Sequence, residues 1–163
     1  MIEALKKNMN AATFVLLAAA NLPAQQTRPY DPFVQYDKAM NVLLAWGLTS
    51  TVVGAGLLAS EDRPLRRIGI SNISWGTVNT GIALLAKQGN RVNRSKITPQ
   101  EKISNFRKAM VINGLLDLAY IGTGVGLMTL ANDKQLNALG VSFAYQGGFL
   151  LGFDWINFGL TFQ

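Results

Sequence analysis

The sequence predicts an all-α fold: a four-helix transmembrane bundle built of two helical hairpins, preceded by a signal-like segment. Charge is swept out of long intervals. Ala39–Ala59, Ile68–Ala86 and Ala109–Ala131 hold one charged residue between them, Asp117, and Leu136–Phe162 holds only Asp154. A soluble bundle would place Lys, Glu and Arg along each outward face, and these segments have no such face. Two tight turn signals, Ser60-Glu61-Asp62 and Asn132-Asp133-Lys134, separate the segments pairwise, so each pair reads as antiparallel neighbours.

The elements follow in order. Residues 1–24 read as a signal peptide or N-terminal hydrophobic segment. Lys6 and Lys7 precede the apolar run Ala11–Ala20, which is too short to span, and Ala18-Ala19-Ala20 or Ala24 gives a small-residue cleavage pattern. Residues 25–163 then form a single domain, with spans at about 39–59, 68–86, 109–131 and 137–160. The first helix starts at Asp31-Pro32, an N-cap followed by proline, and leads in through Phe33, Tyr36 and Met40. The second starts at Asp62 and Pro64 and gives way to a long loop, polar through Gln88-Gly89-Asn90. Thr98-Pro99-Gln100-Glu101 is a capping box that opens a third helix running unbroken to Ala131, roughly 50 Å at helical rise. Its first turns are an amphipathic lead-in outside the membrane or along its surface. The fourth helix runs nearly to Gln163. Gly122-x-x-x-Gly126 and Gly148-x-x-x-Gly152 are spaced for close backbone approach.

The net charge of +6 is concentrated. Lys87, Arg91, Arg94, Lys96, Lys102, Arg107 and Lys108 share one region with a single acid, Glu101. Such a cluster beside membrane spans is a topology signal and a match for anionic lipid headgroups. Aromatic residues do not interleave it, so no nucleic-acid partner is expected. Orientation is set by two rules that give opposite answers. A cleaved signal places the basic loop outside, whereas the excess of Lys and Arg over the Ser60–Arg67 turn places it in the cytoplasm. The chain has no cysteine and no histidine, which excludes disulfides, thiolate chemistry and imidazole ligation. No metal or cofactor is expected.

Polar side chains recur at helical spacing inside the spans. Asn72, Trp75 and Asn79 share one face of the second helix, and Asn113, Asp117, Tyr120 and Gly124 one face of the third. In the fourth, Gln146 and Asn157 share a face, with Asp154 about 80° around from Gln146. A carboxylate in mid-span is costly in hydrocarbon and must face protein, water or a partner. Asn72, Asn79, Asn113, Asp117, Tyr120, Gln146, Asp154 and Asn157 thus form a polar bundle interior, read either as interhelical glue or as a ligand or ion site. Two acids could do general acid–base work, but no nucleophile–base pair is visible, so the sequence leans away from an enzyme.

The pattern Ser74-Trp75-x-x-x-Asn79, Asn113-x-x-x-Asp117-x-x-Tyr120 and Gln146-Gly147-Gly148-Phe149-Leu150-x-x-x-Asp154 resembles an uncharacterised family of small bacterial four-span membrane proteins. The likeness covers roughly residues 36–160 and departs in its basic central region and its leader. It implies four helices in a bacterial inner membrane, with no established activity. The expected function is a structural or accessory component of a membrane assembly, with the lipid bilayer and protein partners or further copies of the chain around it. The alternative is a cation- or proton-coupled transporter or channel subunit using Asp117 and Asp154; a lipid-directed membrane enzyme comes third.

Overall fold

The computed structural model describes residues 30–163, and the signal-like segment 1–24 lies outside the described residues. Four helices account for the fold: α1 (Pro32–Leu58), α2 (Arg63–Asn93), α3 (Pro99–Leu130) and α4 (Lys134–Leu160). The molecule is an all-α four-helix bundle.

Each helix starts where a cap begins it. Asp31 Oδ1 accepts from the backbone N–H groups of Phe33 and Val34, and Asp133 Oδ1 from those of Gln135 and Leu136. Thr98 and Glu101 close a reciprocal capping box, with the Thr98 N–H donating to Glu101 at 2.8 Å and the Glu101 N–H donating back at 3.2 Å. These hydrogen bonds hold the Glu101 carboxyl below the usual carboxylate range. Asp62 stands at the N-cap position of α2 without a side-chain cap bond, and Pro64 presets the first turn.

The long polar loop expected after the second span is not formed. Helix α2 continues through Gln88-Gly89-Asn90 to Asn93, leaving only residues 94–98 as the connection. Asn90 explains the extension. Its side-chain amide donates to Phe33 O at 2.9 Å and to Asp37 Oδ1 at 3.0 Å, so a residue that reads as a helix breaker fastens the end of α2 to the start of α1.

α1 packs along α2 and α3 along α4, which makes two antiparallel hairpins; α2 against α4 is the principal contact between them. The hairpins are held by glycines at seven-residue spacing. A Cβ on Gly47 would come within 2.8 Å of Gly76 O, and one on Gly54 within 2.6 Å of Gly69 O. Seven residues forward on α1 is seven back on α2, so one register holds through the pair. In the second hairpin Gly124 meets Gly140 and Ala144, and Gly147 meets Asp117 and Ile121. Backbones can approach this closely only where no side chain intervenes. Gly122, Gly126, Gly148 and Gly152, the expected packing glycines, have nothing within 4 Å of a built Cβ and lie outside these seams.

The core is layered. An apolar layer of Ala39, Met40, Leu43, Ala83, Phe106, Met110 and Phe153 lies toward the end where α2 meets α3. Polar side chains form much of the rest of the interior: Ser50, Ser71, Asn72, Asn79, Asp117, Ser142, Gln146, Asp154 and Asn157 are all buried. Large apolar side chains face outward, including Val52, Ile70, Val78, Leu85, Leu115, Leu118 and Ile156. Helices α1 and α3 are, by length and composition, apolar enough to cross a membrane. Buried amides, hydroxyls and a carboxyl lower the hydropathy of α2 and α4.

Candidate functional site

Gln146 is the hub of the polar interior. It is 0% exposed, and its side chain engages both helices of the opposite hairpin. Its Oε1 accepts from the Trp46 indole N–H at 2.9 Å, while its amide donates to Asn72 Oδ1 at 3.0 Å and Ser50 Oγ at 3.4 Å. The Trp46 ring stacks on Phe149 with centroids 3.7 Å apart, so hydrogen bond and ring contact fix the same pair of helices. One turn before Gln146, the Ser142 hydroxyl donates to Ser71 Oγ at 2.8 Å. Trp75, Tyr120 and Phe143 form an edge-to-face aromatic cluster on the flank of this network.

The second feature is a carboxyl pair. Asp117 of α3 and Asp154 of α4 are 3% and 4% exposed, and their side chains neighbour each other in the interior. Asp117 Oδ2 is buried without a hydrogen-bond partner, and so is Asn79 Nδ2. Asp154 also lines a recess of about 160 Å³ between α3 and α4, walled by Met110, Val111, Leu115, Leu118 and Phe158.

The structure brings together Asn72, Gln146, Asp117 and Asp154 as interior residues in two groups. Asn157 is buried near the end of α4, accepting from Gln35 and donating to Phe153 O. Tyr120 is half-buried in the aromatic cluster. Asn113 is exposed and does not belong to the interior. The buried line on α3 is Phe106, Met110, Gly114, Asp117 and Gly124, set by the glycine seam, which turns Asn113 to the outside. Sequence reasoning missed Trp46, Ser50, Ser71 and Ser142. The signal that finds their surroundings is Gly-x₆-Gly, present as Gly47/Gly54, Gly69/Gly76 and Gly140/Gly147.

The basic cluster is divided. Arg94 pairs with Asp31 at 2.6 Å, Lys87 donates to Asn41, and Arg107 donates to Thr161 Oγ1 and O at 2.8 and 2.7 Å while stacking over Phe162. Lys102 is buried with its ammonium 3.3 Å from the Tyr36 ring centroid. Burial pulls Lys102 down to about 8, partly offset by the Asp37 carboxylate, and burial next to Asp37 raises the Tyr36 hydroxyl. Arg91, Lys96 and Lys108 remain exposed. Four of the seven expected headgroup ligands therefore also hold this end of the bundle together.

No group of three or more Asp or Glu side chains placed to hold a metal ion occurs among the described residues. No curated protein and no solved structure matches the chain. The profile of a family of unknown function, DUF6992, matches residues 42–155, a stretch that contains both hairpin turns, the Gln146 network and the carboxyl pair. On that match, which covers most of its length, the chain belongs to the family of unknown function DUF6992.

Proposed function

We propose that the protein is an integral membrane protein, all four helices crossing the bilayer, that serves as a structural or accessory component of a membrane assembly. The observation behind this reading is the inversion of the usual distribution. Amides, hydroxyls and carboxyls fill the interior, while Val52, Leu85, Leu115 and Leu130 are 65–83% exposed. In water such a surface would be an aggregation liability; in lipid it is the ordinary solvent boundary. The helices of 27, 31, 32 and 27 residues reach about 40–48 Å, more than the ~30 Å hydrocarbon core, which leaves the end bearing Lys102 and Arg94 in the headgroup region or beyond. An accessory role fits an interior in which the Gln146 network ties the two hairpins to each other. Alkaline carbonate should leave the protein in the membrane pellet, and mild-detergent purification should bring down a stoichiometric partner. Release by carbonate would defeat the membrane reading; a lone monodisperse protein would defeat the accessory one.

The Asp117–Asp154 pair favours a second reading, a proton or monovalent-cation site. Two neighbouring buried carboxyls on α3 and α4, with no ion pair to either among the described residues, are costly in a bundle interior unless a proton or cation joins them. Proteoliposomes should then show cation or proton uptake that Asp117→Asn and Asp154→Asn abolish. No uptake by the unmodified protein would remove this reading.

A further inference from the structure

A recess on the outer flank lies at the other end of the bundle from the basic cluster. It has a volume of about 530 Å³, with Ile70, Trp75, Val78, Tyr120 and Phe143 among its walls and Arg67 at one end. On α2 the lining positions are Arg67, Ile70, Ser71, Ser74, Trp75 and Val78, a single helix face that opens outward. Tyr120 from α3 and Leu139 and Phe143 from α4 supply the opposite wall, so the groove is shared by the two hairpins.

We infer that this groove holds one acyl chain of an anionic phospholipid, with the lipid phosphate on Arg67. The inference rests on the membrane reading above and adds a specific lipid to it. Length is the first argument. From Arg67 to Val78 the groove runs about 16 Å at helical rise, against about 15 Å for half of a ~30 Å hydrocarbon core. The groove is therefore one leaflet deep, and Arg67 sits where the charge-free span of α2 ends, at headgroup level.

Charge and chemistry agree with the length. Arg67 is exposed and has no hydrogen bond or ion pair among the described residues, and Arg63 and Arg66 are exposed on the same turn. A guanidinium can meet a phosphate with two parallel hydrogen bonds, and the arginine side chain keeps its donors at the interface while its stem follows apolar surface. Deeper in, the two serine hydroxyls offer no competing polarity. Ser74 Oγ donates to Ile70 O and Ser71 Oγ accepts from Ser142, so both are engaged within the protein. The rest of the wall is mostly aromatic and aliphatic, which suits an alkyl chain, with the Tyr120 hydroxyl and Trp75 indole N–H as its remaining polar atoms.

Trp75 in the wall supplies the probe. In a Trp155→Phe background, which removes the outward-facing indole, the protein is reconstituted with phosphatidylglycerol or phosphatidylcholine brominated on the acyl chain, and tryptophan quenching is followed. Half-quenching should need about fivefold less phosphatidylglycerol than phosphatidylcholine, the preference expected of one arginine at an anionic headgroup. Arg67→Gln should remove the preference, Lys38→Gln at the opposite end should keep it, and Val78→Trp should displace the lipid bound by native mass spectrometry. Equal quenching by the two lipids, or a preference that survives Arg67→Gln, overturns the inference. A protein that stays in the carbonate pellet but shows no preference fails here alone; one released by carbonate fails at the membrane reading first.

Discussion

Gln146 and Asn79 are both buried amides, and they should behave in opposite ways. Replacing Gln146 by leucine orphans the Trp46 indole N–H and removes the donor that serves Asn72 Oδ1 and Ser50 Oγ. It should cost about 1–2 kcal/mol in a detergent-micelle unfolding titration. Asn79 Nδ2 already lacks a partner, so Asn79→Leu discards an unsatisfied group and should be neutral or stabilising in the same assay. Lys102 makes a different kind of prediction. Its folded value of about 8 lies below the ordinary lysine value of 10.5, so between the two the unfolded chain holds a proton that the folded protein has lost. Stability from this residue therefore rises with pH across that window and is flat below it. Thermal melting from pH 7.5 to 10.5 should show the rise, and Lys102→Met should flatten it. Of these residues the sequence marked Gln146, Asn79 and Lys102, because amides and charges in or near apolar runs stand out. Trp46 reads from the sequence only as a packing or interfacial residue, since its hydrogen-bond partner lies on another helix.

At the scale of the helix, the seams decide what was legible. Helix starts were readable because Asp31-Pro32, Thr98-Pro99-Gln100-Glu101 and Asp133 are local chemistry. The end of α2 was not, because Asn90 is satisfied by α1, a partner far away in sequence. The face of α3 was misjudged at Asn113, which is only about 40° from Asp117 around the helix. Gly124 and Gly147 settle the rotation, and seven-residue spacing was the pattern to look for. Two classes of glycine should follow. Gly124→Ala would place a methyl 2.5 Å from Ala144 N and 2.7 Å from Gly140 O, backbone atoms that can give only if α3 and α4 separate. It should destabilise by about 1–3 kcal/mol. Gly122→Ala and Gly148→Ala meet open space and replace a poor helix former, so each should be neutral or gain up to about 1 kcal/mol in the same unfolding assay.

The whole molecule is two hairpins joined by different means inside and between. Within each, glycines bring backbone against backbone; between them, side chains meet through Gln146, Ser142, the stacked Trp46 and Phe149, and the Tyr36–Phe106 ring contact. The five residues 94–98 are the covalent link between the hairpins. Chains cut within that link and expressed together should therefore reassociate and copurify, while Gln146→Leu in the second fragment should sharply reduce copurification.

That division has a consequence in time. The Gln146–Asn72 and Ser142–Ser71 bonds join residues 74 and 71 positions apart. At roughly 5–20 residues per second, the ribosome needs on the order of 4–15 seconds to make the second partner after the first. On the proposed membrane reading, the first hairpin spends that interval in the bilayer with Asn72 and Ser71 lacking the partners they have in the finished protein. The half-made chain, not the finished one, is then the state in which these two polar groups lack their cross-hairpin partners.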